Sequence, residues 1–156
     1  MPFVEVKIPQ GTLSAERKEQ LHHDLAHIVT KWEGLLDLDD PRAKWATWTY
    51  IHELPTGAYP AGAPLRTLVE VSIPQDVLGE ERRQGLVDEV TRAVYRAQGE
   101  TDPGGAGHVY CLIREIAHGR WGFDGQAPHL RDVLPRLGLD PSGARYKELE
   151  EALRRR

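Results

Sequence analysis

The 156-residue chain carries 20 basic and 24 acidic side chains, a formal net charge of −4, with 40% hydrophobic and 28% charged residues. That balance is too apolar for a disordered chain, suits one compact unit or two small fused halves, and excludes broad binding to a phosphate backbone, which needs clustered Lys and Arg. Cys111 is the sole cysteine, so an intrachain disulfide and a thiol-rich four-ligand metal site are both excluded.

The opening MPFVEVKIPQ has neither the basic nor the apolar region of a secretion signal. No stretch approaches the ~20 apolar residues of a membrane span. The expectation is a soluble, cytoplasmic protein with no membrane or nucleic-acid partner.

Phe3 to Leu21 aligns without gaps on Leu68 to Leu86 at a constant offset of 65 residues, from position 3 to position 68. Val4, Glu5, Val6, Ile8, Pro9, Gln10, Leu13, Glu16, Arg17 and Leu21 recur identically, which marks an internal duplication. In each copy the alternation V-E-V-x-I predicts a strand, the Pro and following Gly or Asp a turn, and the charged segment a helix. Ser14 is the expected N-cap of the first helix, with Glu16 in its first turn. Leu21, Leu25, Ile28 and Trp32 form its apolar stripe; Leu86, Val90 and Val94 form the second, which Gly99 and the DPGGAG segment at 102–107 end.

A second strand-like run follows each helix, Trp45 to Leu54 and His108 to Ile116, each leading into a Gly-containing hairpin in which Tyr59 matches Trp121. Strand, helix and strand in one sheet require a right-handed crossover between parallel strands. The expected architecture is therefore α+β: duplicated β-α-β units, a four-stranded mixed sheet with two helices on one face, and an opposite face that needs covering. The units are 2–66 and 67–125. Residues 126–156, with Tyr146, Leu149 and Leu153 at helical spacing, form a C-terminal arm ending in a helix, expected to cap or pack a subunit.

Over about its first 125 residues the chain resembles the tautomerase superfamily, in particular its fused two-unit members. The resemblance rests on Pro2 directly after the initiator Met, the strand FVEVKI, the turn PQGTLSAERKEQL and the hairpin REIAHGRWGFDG, which is similar to the closing hairpin of 4-oxalocrotonate tautomerase. It implies a MIF-like β-α-β-β-α-β subunit assembled as a homotrimer through the uncovered sheet face, with active sites near Pro2. It implies a cofactor-independent isomerase that takes a small anionic or enol substrate. No metal is expected: of His22, His23 and His27 on the first helix, the i, i+4 neighbours His23 and His27 could share one, but no Glu or third ligand accompanies them in a recognised spacing.

An internal proline nitrogen is a tertiary amide without basicity, so Pro2 has chemistry to offer only once Met1 is removed. The free secondary amine starts from an α-amino pKa of about 8, and an apolar setting lowers it by disfavouring the ammonium form. A neutral amine can take a proton beside a carbonyl and return it elsewhere, which completes a keto-enol tautomerisation. The second copy carries Thr67 in place of Pro2, inside the chain, so each subunit holds one such amine.

An anionic substrate also needs a cation, and arginine matches a carboxylate best. Arg114 and Arg120 flank the second hairpin and are the candidates. By resemblance Trp121 stands where the family places an aromatic wall, and Tyr110 where 4-oxalocrotonate tautomerase carries a substrate-binding arginine. The family's other carboxylate-binding arginine is also replaced, by Thr12 and Leu13 in one copy and Val77 in the other. Phe123 stands where the related cis-3-chloroacrylic acid dehalogenases carry a water-positioning carboxylate, with Asp124 one residue away. Ala46 stands where malonate semialdehyde decarboxylase carries an Asp, with Asp39 and Asp40 shortly before. His52 and His118, on or near the hairpins, are outside candidates for acid or base work. The alternatives are therefore a Pro2-dependent dehalogenase or decarboxylase of a three-carbon acid, and a non-catalytic trimeric binding protein.

Overall fold

The computed structural model describes residues 2–62, 66–100 and 107–155. Strand β1 (Phe3–Pro9) leads through a turn into helix α1 (Ala15–Glu33), a 3-10 turn (Ala43–Trp45) and strand β2 (Trp48–Leu54). Strand β3 (Thr67–Pro74), helix α2 (Glu80–Gln98) and strand β4 (Val109–Ile116) repeat the pattern. The sheet order is β2-β1-β3-β4, with β1 parallel to β2, β3 parallel to β4, and β1 antiparallel to β3. This is the expected mixed sheet, its two β-α-β units joined at the centre.

Alternation decides which side of the sheet is buried. Val4, Val6 and Ile8 of β1 and Val69, Val71 and Ile73 of β3 are each no more than 1% exposed, all beneath the helices. Ser14 caps α1 by accepting from the Arg17 N–H at 3.3 Å, and Gly34, left-handed at φ +59, ends it by donating its N–H to the Thr30 carbonyl. α2 ends the same way at Gly99, φ +83, so the two helices have the same length and closure. Of the 102–107 loop only Gly107 lies within the described residues.

Gly85 of α2 packs against the Trp32 ring of α1. A β-carbon at Gly85 would sit 2.2 Å from the Trp32 ring. Gly85→Ala should therefore destabilise the fold by about 1–3 kcal/mol through overpacking, despite alanine's better helix propensity. Urea unfolding at constant m-value checks this.

Two expectations are corrected. β2 starts at Trp48, not Trp45, because its ladder begins where β1 offers a partner: the Trp48 N–H donates to the Pro2 carbonyl at 3.1 Å, and proline has no amide N–H to return. Trp45 instead belongs to the 3-10 turn and is 66% exposed. The hairpins shrink as well. After β2 the described residues make only a turn, closed by the Ala58 N–H on the Pro55 carbonyl; Pro55 and Pro60 supply no ladder donors. After β4 a single bridge joins Phe123 to Gln126, with Asp124 at φ +49 and Gly125 at φ +76 forming the bend.

The arm contains α3 (Leu130–Val133), a 3-10 turn (Leu134–Arg136) and α4 (Ala144–Arg154). It packs on its own subunit: Leu130, Leu134, Leu149 and Leu153 join the core, and Tyr146 packs against it half-buried. Arg145 fastens it by donating from Nη2 to the carbonyls of Glu33 and Val77, both at 2.6 Å. Among the described residues nothing covers the sheet face away from the helices, which exposes Phe3, Trp48, Tyr50, Tyr110 and Leu112. Among the described residues no helix is long and apolar enough to cross a membrane.

Candidate active site

Pro2 is buried at the head of β1. Since Phe3 pairs with Ser72 in the antiparallel ladder, the C-terminal end of β3 runs alongside Pro2; Pro74 there pairs with Ile116, from which the 117–125 loop departs. α1 runs back along the sheet, so its last turn also returns to this end. A hydrogen bond between the Thr30 and Thr47 hydroxyls, 3.2 Å apart, ties that last turn to the residue before Trp48, whose N–H holds the Pro2 carbonyl.

Two depressions flank this end of the sheet and share Ile116 and Trp121 as walls. One is an apolar cavity of about 320 Å³ between Leu35, Pro74, the loop after β4 and the arm; His118 supplies its polar edge. The other is a groove of about 440 Å³ on the uncovered face, where Arg120 stands over Phe3, Glu5 and Tyr50. Phe3 stacks between Trp121, centroid distance 5.8 Å, and Tyr50, 6.3 Å.

These positions sort the residues picked from the sequence. Trp121 lines both depressions and Phe123 the cavity, so Trp121, Phe123 and Arg120 all gather at the Pro2 end. Among the described residues the Arg120 side chain has no ion-pair partner. Arg114 is committed: with Lys7 it pairs with Glu70, whose side chain is only 4% exposed, and the Lys7 hydrogen bond foremost holds that carboxyl below its ordinary range. Tyr110 is not brought to Pro2 within one chain. It lies six residues before Ile116, about 20 Å along β4, and its hydroxyl is 2.6 Å from Arg66.

Among the described residues no group of three metal-ligating side chains occurs. His23 instead faces Glu19 one helical turn away, 3.2 Å apart. His52 faces Glu5 at 3.3 Å, whereas His118 Nε2 lies 3.1 Å from Asp76 Oδ2 and its ring stacks on His129. Asp40 is held by Arg42, whose hydrogen bonds lower its carboxyl to about 2, and Ala46 is buried. The Cys111 thiol is pushed up to about 11 by burial.

Sequence reasoning missed Glu33. Its residue is 4% exposed, and its Oε1 has no hydrogen-bond partner among the described residues. Burial raises its carboxyl from 4.5 to about 7, opposed by the positive charges of the amino terminus and Arg145. The signal was present: Leu25, Val29 and Glu33 are spaced by four, which places an acid on the buried face of α1.

No protein-family model and no curated protein matches the chain. Solved structures do. Pt0534 inactivated by 2-oxo-3-pentynoate aligns with TM-score 0.66 and 22% identity over 84% of this chain and 98% of its own. N1, a member of the cis-3-chloroacrylic acid dehalogenase family, aligns with TM-score 0.66 and 16% identity over 96% and 99%. An asymmetric trimer of a fused 4-OT, F6, aligns with TM-score 0.65 and 18% identity over 88% and 99%. The match to N1 spans the arm as well as both units. The chain thus has the fold of the tautomerase superfamily, in its fused two-unit form.

Proposed function

We propose that this chain is a cofactor-independent tautomerase in which Pro2, freed by removal of Met1, is the general base on an enol or unsaturated 2-oxo acid. The observation that carries the reading is the burial of Pro2 at the head of β1, at the sheet end that Trp121 shares between an apolar cavity and a groove lined by Arg120. An amine released there sheds hydration, which favours its neutral, proton-accepting form.

Pro2 then removes the enol proton as the C=O bond forms and delivers a proton to the adjacent carbon, so the substrate is isomerised and the amine regenerated. Arg120 binds the substrate carboxylate, and Trp121 and Phe123 form its apolar wall. The likeness to Pt0534, which was inactivated by the unsaturated 2-oxo acid 2-oxo-3-pentynoate, supports this substrate class. Units 2–66 and 67–125 and arm 126–156 act as one folding unit, since one core draws on all three.

Intact mass and an enol ketonisation assay, run beside a 3-chloroacrylate hydration assay, test the reading. Loss of Met1 with enol turnover is expected. Hydration without enol turnover would assign Pro2 to the acid role of a hydrolytic enzyme instead, and no turnover on either panel would favour a binding protein.

The active form is a homotrimer closed through the uncovered sheet face; the trimeric fused 4-OT neighbours and the exposed Phe3, Trp48, Tyr50 and Leu112 support this. Tyr50→Asp should convert a trimer mass in light scattering to that of a monomer, since it places a charge on the apolar face. An unchanged mass would move the interface elsewhere.

A further inference from the structure

The internal duplication supplies a comparison inside one molecule. At the offset of 65 residues, Thr67 takes the place of Pro2 and Gln98 the place of Glu33. Both helices end on these residues, and each is followed by a left-handed glycine. In the second unit the two positions touch: Gln98 Nε2 donates to Thr67 Oγ1 at 2.9 Å, and Gln98 Oε1 is satisfied by His108 at 3.2 Å. In the first unit the matching carboxylate oxygen, Oε1 of Glu33, has no partner among the described residues.

The second copy carries a neutral amide, Gln98, at this position. A carboxylate at a helix C-terminus opposes the helix dipole, and burial adds its own cost. The nearby arginines hydrogen-bond backbone carbonyls and pair with Glu148, while Arg145 Nε, like Glu33 Oε1, has no hydrogen-bond partner among the described residues. Arg145 donates from Nη2 to the Glu33 and Val77 carbonyls and lies 2.9 Å from Glu148; Arg82 donates to the Trp32 carbonyl and lies 3.5 Å from the same Glu148. The charges that act on Glu33 are those of Arg145 and the amino terminus, and Arg82 and Glu148 pair with or beside Arg145.

We propose that Glu33 is the hydrogen-bonding partner of the freed Pro2 amine, its Oε1 accepting from the ring N–H and orienting the nitrogen for proton transfer. This rests on the Pro2 reading above. Glu33 is a positioning residue: it holds the amine and stabilises its ammonium form once a proton has been taken, with no bond to substrate.

The test is a ¹⁵N titration of the Pro2 nitrogen in the full-length trimer, wild type against Glu33→Gln, after mass spectrometry has verified the Met1-free terminus. An opposite charge within a few ångströms stabilises an ammonium by about one to three pH units. Glu33→Gln should therefore lower the midpoint of the Pro2 titration by about one pH unit or more and move the acid limb of the pH-rate profile with it, at unchanged trimer mass. Glu33→Asp, which retracts the carboxylate, should give an intermediate midpoint. A midpoint unchanged in both variants overturns the pairing and leaves Glu33 as a structural partner of Arg145, even if turnover persists. A shifted midpoint with no enol turnover in wild type upholds the pairing and overturns the tautomerase reading. Retention of Met1 overturns both.

Discussion

Pro2→Ala should lower kcat/KM for an enol substrate by about 10²-fold or more while leaving the trimer mass and the unfolding midpoint close to wild type. General base catalysis by a positioned group contributes about 10²–10⁴-fold, and a 10²-fold loss corresponds to about 2.7 kcal/mol of transition-state stabilisation. Alanine still offers a terminal amine after Met1 removal, but a primary one on a freely rotating bond, without the ring that fixes the direction of the lone pair. A chain extended ahead of Pro2 is the stricter control: its ring nitrogen becomes a tertiary amide and turnover should disappear. Steady-state kinetics on all three proteins, with intact masses, decide the point; equal rates would remove Pro2 from the chemistry.

The second large effect concerns stability and pH. The Glu33 carboxyl is raised from 4.5 to about 7 in the folded chain, first by burial. A folded-state pKa above the unfolded one means the native state holds the proton more tightly. The resulting stabilisation is complete below about pH 4.5 and is lost as pH climbs through about 7. Its size follows from the separation of those two values, on the order of 3 kcal/mol. Glu33→Gln removes this slope. Relative to wild type the variant should gain stability between pH 5 and pH 8, read as the difference in urea unfolding free energy at the two pH values. Glu70 has the opposite sign: its carboxyl is lowered by Lys7 and Arg114, so its contribution is present above its ordinary range and fades in acid. Taking the difference between variant and wild type cancels that background. A flat difference would show that Glu33 does not titrate in this window.

The fold was legible because its determinants are periodic. The alternation in VEVKIP and VEVSIP, the four-residue spacing of Leu21, Leu25 and Ile28, and the copy at offset 65 each act over a few neighbouring residues, so they can be read along the chain. Trp45 and the hairpins were misjudged for a tertiary reason: strand β2 begins only where β1 can pair with it, and Pro55 and Pro60 in the following turn supply no ladder donors.

The site was legible only in part. Pro2 and the loop carrying Arg120, Trp121 and Phe123 lie at one sheet end because the two units run antiparallel, so that β4 finishes at the end where β1 begins. Which arginine is available was not readable, since Arg114 is claimed by Glu70 across the sheet and Arg120 is not. Glu33 shows the same limit more sharply. Its place on the buried face of α1 follows from spacing, but that Arg145, more than a hundred residues later, packs beside it and leaves its Oε1 without a hydrogen-bond partner among the described residues does not.

By itself the sequence determined the duplicated β-α-β plan, the two helix stripes, the arm's apolar residues and the presence of a proline at the second position, because backbone propensity and side-chain periodicity are local. Tertiary structure alone decided which charges are spent, which are left over, and which end of the sheet gathers them. Those outcomes depend on hydrogen bonds and ion pairs between residues far apart in the chain, whose pairing no local pattern encodes.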